Sequence, residues 1–252
     1  DLMRKAQAIT DKAFSEVLGR IKAGMTELEL QAELIYCMHK NGAHGLSFDP
    51  IVVSGPNSSM PHGVAGERVI QEGDFVTMDF GASYNGYCSD MTRTVAVGYV
   101  SDEQKDIYNI VLAAHQQAPA NMRSGAMYME DVHRKALVTL ADGLRGVGLI
   151  NGSAEDAVAA GAMYLFMPHG LSHGMGIDVH DCEAMGERSY DFSAIAERAA
   201  ESATCIHRAT WRLRAGTVMS NEPGIYFIPA LIDKSRSEGL YKGIVNYDKL
   251  DT

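Results

Sequence analysis

The sequence predicts an α+β fold with an internal pseudo-twofold repeat, and three observations carry that prediction. Two stretches of helical apolar periodicity precede strand-like runs, and this order occurs twice along the 252 residues. The pattern Gly73-Asp-Phe-Val-Thr-Met-Asp79-Phe-Gly81 returns as Gly216-Thr-Val-Met-Ser-Asn-Glu222-Pro-Gly224, 143 positions later. An Asn85-Gly86 pair between two apolar runs marks a two-residue hairpin loop.

In the first half, Ile9, Ala13, Phe14, Val17 and Ile21 form one helical stripe, which Gly24 ends. Thr26 and Glu29 have the spacing of a capping box for a second helix, whose inward residues are expected to be Leu28, Ala32, Ile35 and Met38. In the second half, Ser101 and Gln104 cap a helix with Ile107, Ile110, Val111 and Ala114 inward. Gly125 breaks it, and Val132, Ala136, Leu140 and Leu144 mark the next. In each half an apolar strand then leads to an acid, followed by a glycine that permits a tight turn or a close approach.

The hairpin fixes the placement of two acids. If Tyr84 faces Tyr87, Asp79 lies opposite Thr92 and Asp90 opposite Gly81. Both carboxylates then project from one face as diagonal neighbours, with alpha carbons roughly 7–8 Å apart. That gap suits carboxylates sharing two cations, with Thr92 placed to orient Asp79. Taken alone, a solvated hairpin with two surface aspartates explains the same residues. The echo at Glu222 favours a site to which both halves contribute.

Histidines cluster in Pro168-His169-Gly-Leu-Ser-His173-Gly-Met-Gly-Ile-Asp-Val-His180. His169 and His173 have a helical spacing, but Gly170, Gly174 and Gly176 oppose a stable helix, so an extended segment is expected. No His-Glu-x-x-His zinc motif is present.

These residues resemble the Xaa-Pro peptidases, prolidase and aminopeptidase P. The likeness runs from Gly45-Leu-Ser-Phe-Asp-Pro-Ile-Val-Val-Ser54 to His62, through Asp79-Phe-Gly, Gly86-Tyr-Cys-Ser-Asp90-Met-Thr-Arg-Thr, the histidine segment and Glu222-Pro-Gly-Ile-Tyr226. The resemblance implies the pita-bread fold, with helices packed on curved antiparallel sheet. It implies that Asp79, Asp90, His173 and Glu222 are metal ligands and that His62, His169 and His180 line the substrate site. His62 and His180 would contact the substrate and the oxyanion, and Glu222 would move the proton. A homodimer is implied as well. The family's fifth ligand, a glutamate in a final strand, is not found here, and Asp248 and Asp251 do not match it. Residues 1–252 are accordingly expected to be one catalytic domain lacking its C-terminal strand and the family's usual N-terminal domain.

Carboxylates with one imidazole form an oxygen-rich donor set, suited to two Mn2+ ions, with Zn2+, Co2+ or Fe2+ also served. The expected reaction is hydrolysis of the Xaa-Pro bond of dipeptides or short peptides through a metal-bridging hydroxide. Prolidase is preferred because the segment from Phe227 to Tyr247 resembles its insertion. A small non-peptide substrate, or a non-catalytic binding module on the same fold, are the alternatives.

An apolar content of 46% in one chain of this length is enough for a sizeable core, and a net charge of −10 disfavours nucleic acid. His207, Arg208, Arg212 and Arg214 read as the polar side of a strand, and the stretch from Asp181 to Arg208 as a solvated insertion. No apolar run approaches the roughly 20 residues of a membrane span. Cys37, Cys88, Cys182 and Cys205 lack Cys-x-x-Cys spacing and suggest a reducing compartment, hence the cytoplasm. Cys88 shares the face of Asp90, and a small packed residue is preferred there over a thiolate ligand.

Overall fold

The computed structural model describes residues 1–122, 129–181 and 213–250. The chain divides into two compact units. One holds Asp1–Ser101 and Met175–Asp181, and the other Asp102–Gly174 and the residues from 182 onward.

The first unit opens with helices α1 (Leu2–Leu18) and α2 (Glu27–Lys40). Along α1, Ala6, Ile9, Ala13 and Val17 are buried, while Phe14 and Ile21 pack against the same core. The helix stops at Leu18, before Gly24, because the Arg20 N–H turns back to the Val17 carbonyl. Gly24 serves instead in the turn toward α2, with φ of +95°.

The capping box forms as expected. Thr26 Oγ1 accepts the Glu29 N–H at 3.1 Å, and Glu29 Oε2 accepts the Thr26 N–H at 2.8 Å. The buried face of α2 overlaps the expected one in part, with Met38 buried and Ile35 packed against the core as expected. Leu30, Leu34, Cys37 and Met38 are buried, whereas Leu28 is 44% exposed and Ala32 is exposed. Glu27, at the start of the helix, is also fully buried, its carboxylate set against polar donors.

Two short antiparallel sheets follow. In one, β2 (Ile51–Ser54), β3 (Phe75–Phe80) and β6 (Met91–Ala96) lie in the order β2-β3-β6. In the other, β1 (Gly45–Leu46) pairs with β4 (Ala82–Tyr84), and β4 with β5 (Tyr87–Cys88). Val76, Met78 and Phe80 enter the core from one face of β3, as strand periodicity requires.

In the second unit, α3 (Asp102–Asn121) begins directly after Ser101, and α4 (Met129–Gly146) buries Val132, Ala136, Leu140 and Leu144 as expected. Ala114 is buried, with Ile107, Ile110 and Val111 packed beside it. Gly125 lies outside the described residues. A Cβ at Gly143 would sit 2.5 Å from Ile110 Cγ2, so this glycine sets how closely α3 and α4 approach. After α5 (Ala154–Ala159) the chain extends through the histidine segment. Beyond residue 212 it leads to α6 (Pro229–Ser237) and α7 (Tyr247–Leu250). The segment likened to an insertion thus contains α6. Its end is tied down by the Asn151 N–H to the Ile244 carbonyl at 2.7 Å and the Asn246 N–H to the Leu149 carbonyl at 3.0 Å.

The glycine echo is visible in the backbone. Gly73 and Gly216 have φ of +89° and +90°. The Asp74 N–H reaches the Gln71 carbonyl at 3.2 Å, and the Thr217 N–H reaches the Arg214 carbonyl at the same distance. The expected strand leading to Glu222, however, is an extended run with a single bridge, Met219 to Gly174. Side chains intercept its ladder bonds. The Ser220 N–H reaches the His173 carbonyl, but the His173 N–H goes to Ser220 Oγ and the Ser220 carbonyl accepts Ser172 Oγ.

Candidate active site

In the first unit Asp79 sits near the end of β3, opposite Thr92 of β6 and Ile51 of β2. It occupies the half-buried face with Thr77, away from the core. Asn85 and Gly86 have φ of +50° and +80°, the pair of left-handed residues that a type I′ turn requires. Tyr84 faces Tyr87, Ser83 faces Cys88 and Asp79 faces Thr92, which is the register expected from the sequence.

Between those pairs the ladder breaks, and Asp90 lies at the break. Gly81 approaches the Ser89 carbonyl so closely that no Cβ fits between them. Hydroxyls take over the missing bonds. The Ala82 N–H donates to Ser89 Oγ at 2.9 Å and Thr10 Oγ1 at 3.1 Å, and these two oxygens lie 2.7 Å apart in the buried interior. Ser47 Oγ accepts the Ser89 N–H at 3.1 Å. Asp90 therefore follows a residue held by the hydroxyls of Thr10 and Ser47 and by its own bonds to the Ala82 backbone.

The two histidines of this unit lie on loops. His62 is exposed, in the turn after the 3-10 segment Gly55–Ser59. A Cβ on neighbouring Gly63 would lie 2.7 Å from Val53 Cγ1, so this turn folds against the face of β2 that continues to Ile51 and Asp79. His180 belongs to the segment Met175–Asp181, which is anchored where the Gly176 carbonyl accepts the Cys88 N–H at 2.9 Å. Cys88 is buried, its Sγ donates to the Ile177 carbonyl at 3.1 Å, and burial pushes its thiol up. It is a packed residue, as preferred.

In the second unit His173 is 2% exposed and its Nε2 lies 3.1 Å from Glu222 Oε1. Sheet-like pairing explains the meeting. The Glu222 N–H reaches the Leu171 carbonyl at 2.9 Å, which makes His173 and Glu222 diagonal neighbours on one face. The Leu171 N–H in turn donates to His133 Nδ1 at 3.1 Å, tying the histidine segment to α4. Ser220 Oγ donates to Glu222 Oε1 at 2.7 Å. Burial works to raise the Glu222 carboxyl, but His173, Ser220 and His169 together outweigh it and hold the group below the usual carboxylate range. His169 places its Nδ1 2.8 Å from the Gly170 carbonyl and meets the Tyr226 ring edge-on at 5.3 Å.

The tautomer of His173 bears on metal binding. Its Nδ1 lies 2.9 Å from the Gly174 carbonyl, which only accepts, so Nδ1 carries a proton. In the neutral ring Nε2 then presents a lone pair to Glu222 Oε1, another acceptor. Two acceptors at 3.1 Å require a proton or a cation between them. The residues thus fit a cation on chemical grounds. Within either unit, the described residues contain no group of three or more His, Cys, Asp or Glu side chains close enough to hold one. The first unit carries Asp79, Asp90, His62 and His180, and the second carries His169, His173 and Glu222.

Sequence reading missed Ser220, Thr10, Ser89 and Glu27. Thr10 alone had a signal, as a polar residue on the stripe of Ala6, Ile9, Ala13 and Val17. Cys182, Cys205, His207, Arg208 and Arg212 lie outside the described residues. Among the described residues no helix is long and apolar enough to cross a membrane.

Comparison with known proteins follows the same lines. Residues 1–246 match the model of metallopeptidase family M24. A peptidase of Bacillus subtilis, YqhT, is 38% identical over 225 residues, 89% of this chain and 53% of its own length. The Xaa-Pro dipeptidase of Homo sapiens is 33% identical, covering 99% of this chain and 50% of its own. The structure of aminopeptidase P from Escherichia coli with the inhibitor Pro-Leu superposes with a TM-score of 0.78 at 30% identity, over 90% of this chain and 47% of that one. The chain spans about half the length of the curated relatives it matches.

Proposed function

Because the chain belongs to metallopeptidase family M24 and has its α+β pita-bread fold, we propose that it is the catalytic part of an exopeptidase that hydrolyses the Xaa-Pro bond. The substrate is a dipeptide or short peptide with proline in second position. Both units act as parts of one catalytic domain over residues 1–252. Asp79, Asp90, His173 and Glu222 serve two divalent ions, Mn2+ best matching their oxygen-rich donors. The observation that carries this reading is the 3.1 Å approach of His173 Nε2 to Glu222 Oε1.

When bound, such ions supply the positive charge that activates water and polarises the scissile carbonyl. Glu222 takes the proton released as water attacks and returns it to the leaving proline nitrogen. Ser220 keeps that carboxylate oriented through its 2.7 Å hydrogen bond. His62 and His180 donate hydrogen bonds to the substrate and to the oxyanion that develops on its carbonyl oxygen. His169 lines the substrate site, with its ring braced by Tyr226. A free substrate amine lodged near the acidic cluster restricts cleavage to the peptide's end. Family resemblance supports a homodimer, and the free, buried Cys37 and Cys88 suit a reducing cytoplasm.

The test measures Mn2+ uptake by titration calorimetry and hydrolysis of an Ala-Pro dipeptide by the same chain. The expected result is that His173→Ala and Glu222→Gln each lower both uptake and turnover relative to the unsubstituted chain. Uptake that both substitutions leave unchanged overturns the ligand assignment. Uptake with turnover only of non-peptide esters or amines overturns the substrate.

A further inference from the structure

Glu27 is a fully buried carboxylate with no place in the chemistry above. Its oxygens collect donors from both ends of one loop. Oε1 accepts the Ser54 N–H at 2.7 Å, Ser54 Oγ at 2.8 Å and Asn57 Nδ2 at 3.1 Å. Oε2 accepts the Gly66 N–H at 3.1 Å and Asn57 Nδ2 at 3.3 Å. The Glu27 N–H reaches the Arg68 carbonyl and the Leu28 N–H the Gly66 carbonyl, so the first turn of α2 grips the loop's exit by backbone as well. At the entry, Arg68 donates to Ser54 Oγ at 2.5 Å and pairs with Asp74 through both guanidinium nitrogens.

The stretch bounded by Ser54 and Gly66 carries His62. It starts where β2 ends, three residues past Ile51, which faces Asp79. Three donors on one oxygen and two on the other use nearly the full acceptor capacity of a carboxylate, more than packing alone requires of a helix's first residue. An amide in its place would turn a donor toward N–H groups that can only donate.

We infer that Glu27 is a positioning residue that fixes the His62 loop over the β2-β3 face bearing Asp79. The inference deepens the reading of His62 as a substrate contact and rests on it. Glu27 itself touches neither substrate nor metal; it acts by closing both mouths of the loop on one anchor.

The test pairs kinetics with a readout that needs no turnover. In the full chain, Glu27→Gln should lower kcat/KM for Ala-Pro about tenfold to a hundredfold, as expected when a hydrogen-bonding side chain is displaced by about 1 Å. In a His62→Ala background the same exchange should cause less than about a twofold further loss, because the group it positions is already gone. The side-chain imidazole signals of His62 in histidine-labelled protein should shift and broaden in Glu27→Gln. Asn57→Ala, which leaves the carboxylate in place, should do the same more weakly and covers the case in which Glu27→Gln fails to fold. Unchanged His62 signals in both folded variants overturn the proposal, as do losses that multiply in the double variant. If wild type and His62→Ala are equally inactive on Xaa-Pro substrates, the substrate reading fails, and the imidazole signals still decide whether Glu27 holds the loop.

Discussion

The turn into β3 and the turn after Arg214 are the same backbone device, yet the runs they launch differ. Both begin at a glycine with φ near +90° and close with one carbonyl bond of 3.2 Å. β3 then pairs on both sides, with β2 and with β6, through unbroken registers. The run from 217 to 226 makes one bridge to the histidine segment, because Ser172, Ser220 and His133 take bonds that a ladder would have used. Local sequence sets the turn, and neighbouring side chains decide whether a ladder follows. The difference has a chemical use: the bonds withdrawn from the ladder in the second unit are spent orienting His173 and Glu222.

The strongest way to break this comparison exchanges the two acids. If Asp79 and Glu222 serve one site, Asp79→Asn and Glu222→Gln should each lower kcat/KM by about a thousandfold or more, and the double variant should lose little beyond either single one. Losses that multiply would mean that the two acids work independently.

Next come the glycines that follow the acids. A Cβ at Gly81 meets the Ser89 backbone, whereas one at Gly224 meets the end of the Tyr226 ring, which can turn aside. Gly81→Ala should cost about 3 kcal/mol or more, and Gly224→Ala less than about 1.5 kcal/mol, by urea unfolding. Equal costs would mean that the two sites are equally rigid.

The turn glycines sharpen the likeness. Gly73→Ala and Gly216→Ala each place an alanine at positive φ with nothing else in the way or only an ordinary contact. Each should cost about 1–2 kcal/mol, and the two should agree within about 0.5 kcal/mol.

The smallest effect is confined to the first unit. The Lys40 and Asn41 hydrogen bonds hold the half-buried Glu16 carboxyl at about 2, below its ordinary 4.5. Its stabilising contribution is therefore complete above pH 4.5 and fades as the pH falls toward 2. Melting curves by circular dichroism across that window should show a shallower acid decline in Glu16→Gln, by a small margin because solvent screens the pair.

The hairpin was legible because its information is local: Asn85-Gly86 demands one turn type, and that turn dictates that Asp79 faces Thr92. The Thr26 and Glu29 capping box was legible for the same reason. The burial of α2 was not, since apolar periodicity favoured Leu28 and Ala32 and gave no hint that Ser54, Asn57 and Gly66 would solvate Glu27 inside the protein. The extended run before Glu222 reads as a full strand because its competing partners, the donor Ser172 Oγ and the acceptor His133 Nδ1, come from residues about fifty and ninety positions away. The acids and histidines themselves were readable from motif resemblance, while the hydroxyls that hold them, Thr10, Ser89 and Ser220, carry no spacing of their own.

One feature of the topology bears on how the molecule is made. The amino-terminal unit borrows Met175–Asp181 from far along the chain, and the Cys88 amide finds an acceptor there in the Gly176 carbonyl. During synthesis this unit stays incomplete until Asp181 has left the ribosome, by which time α3, α4 and α5 have already emerged. Vectorial folding of the two units is thus interleaved, and a polypeptide released after Ser101 would lack the piece that closes its own hairpin.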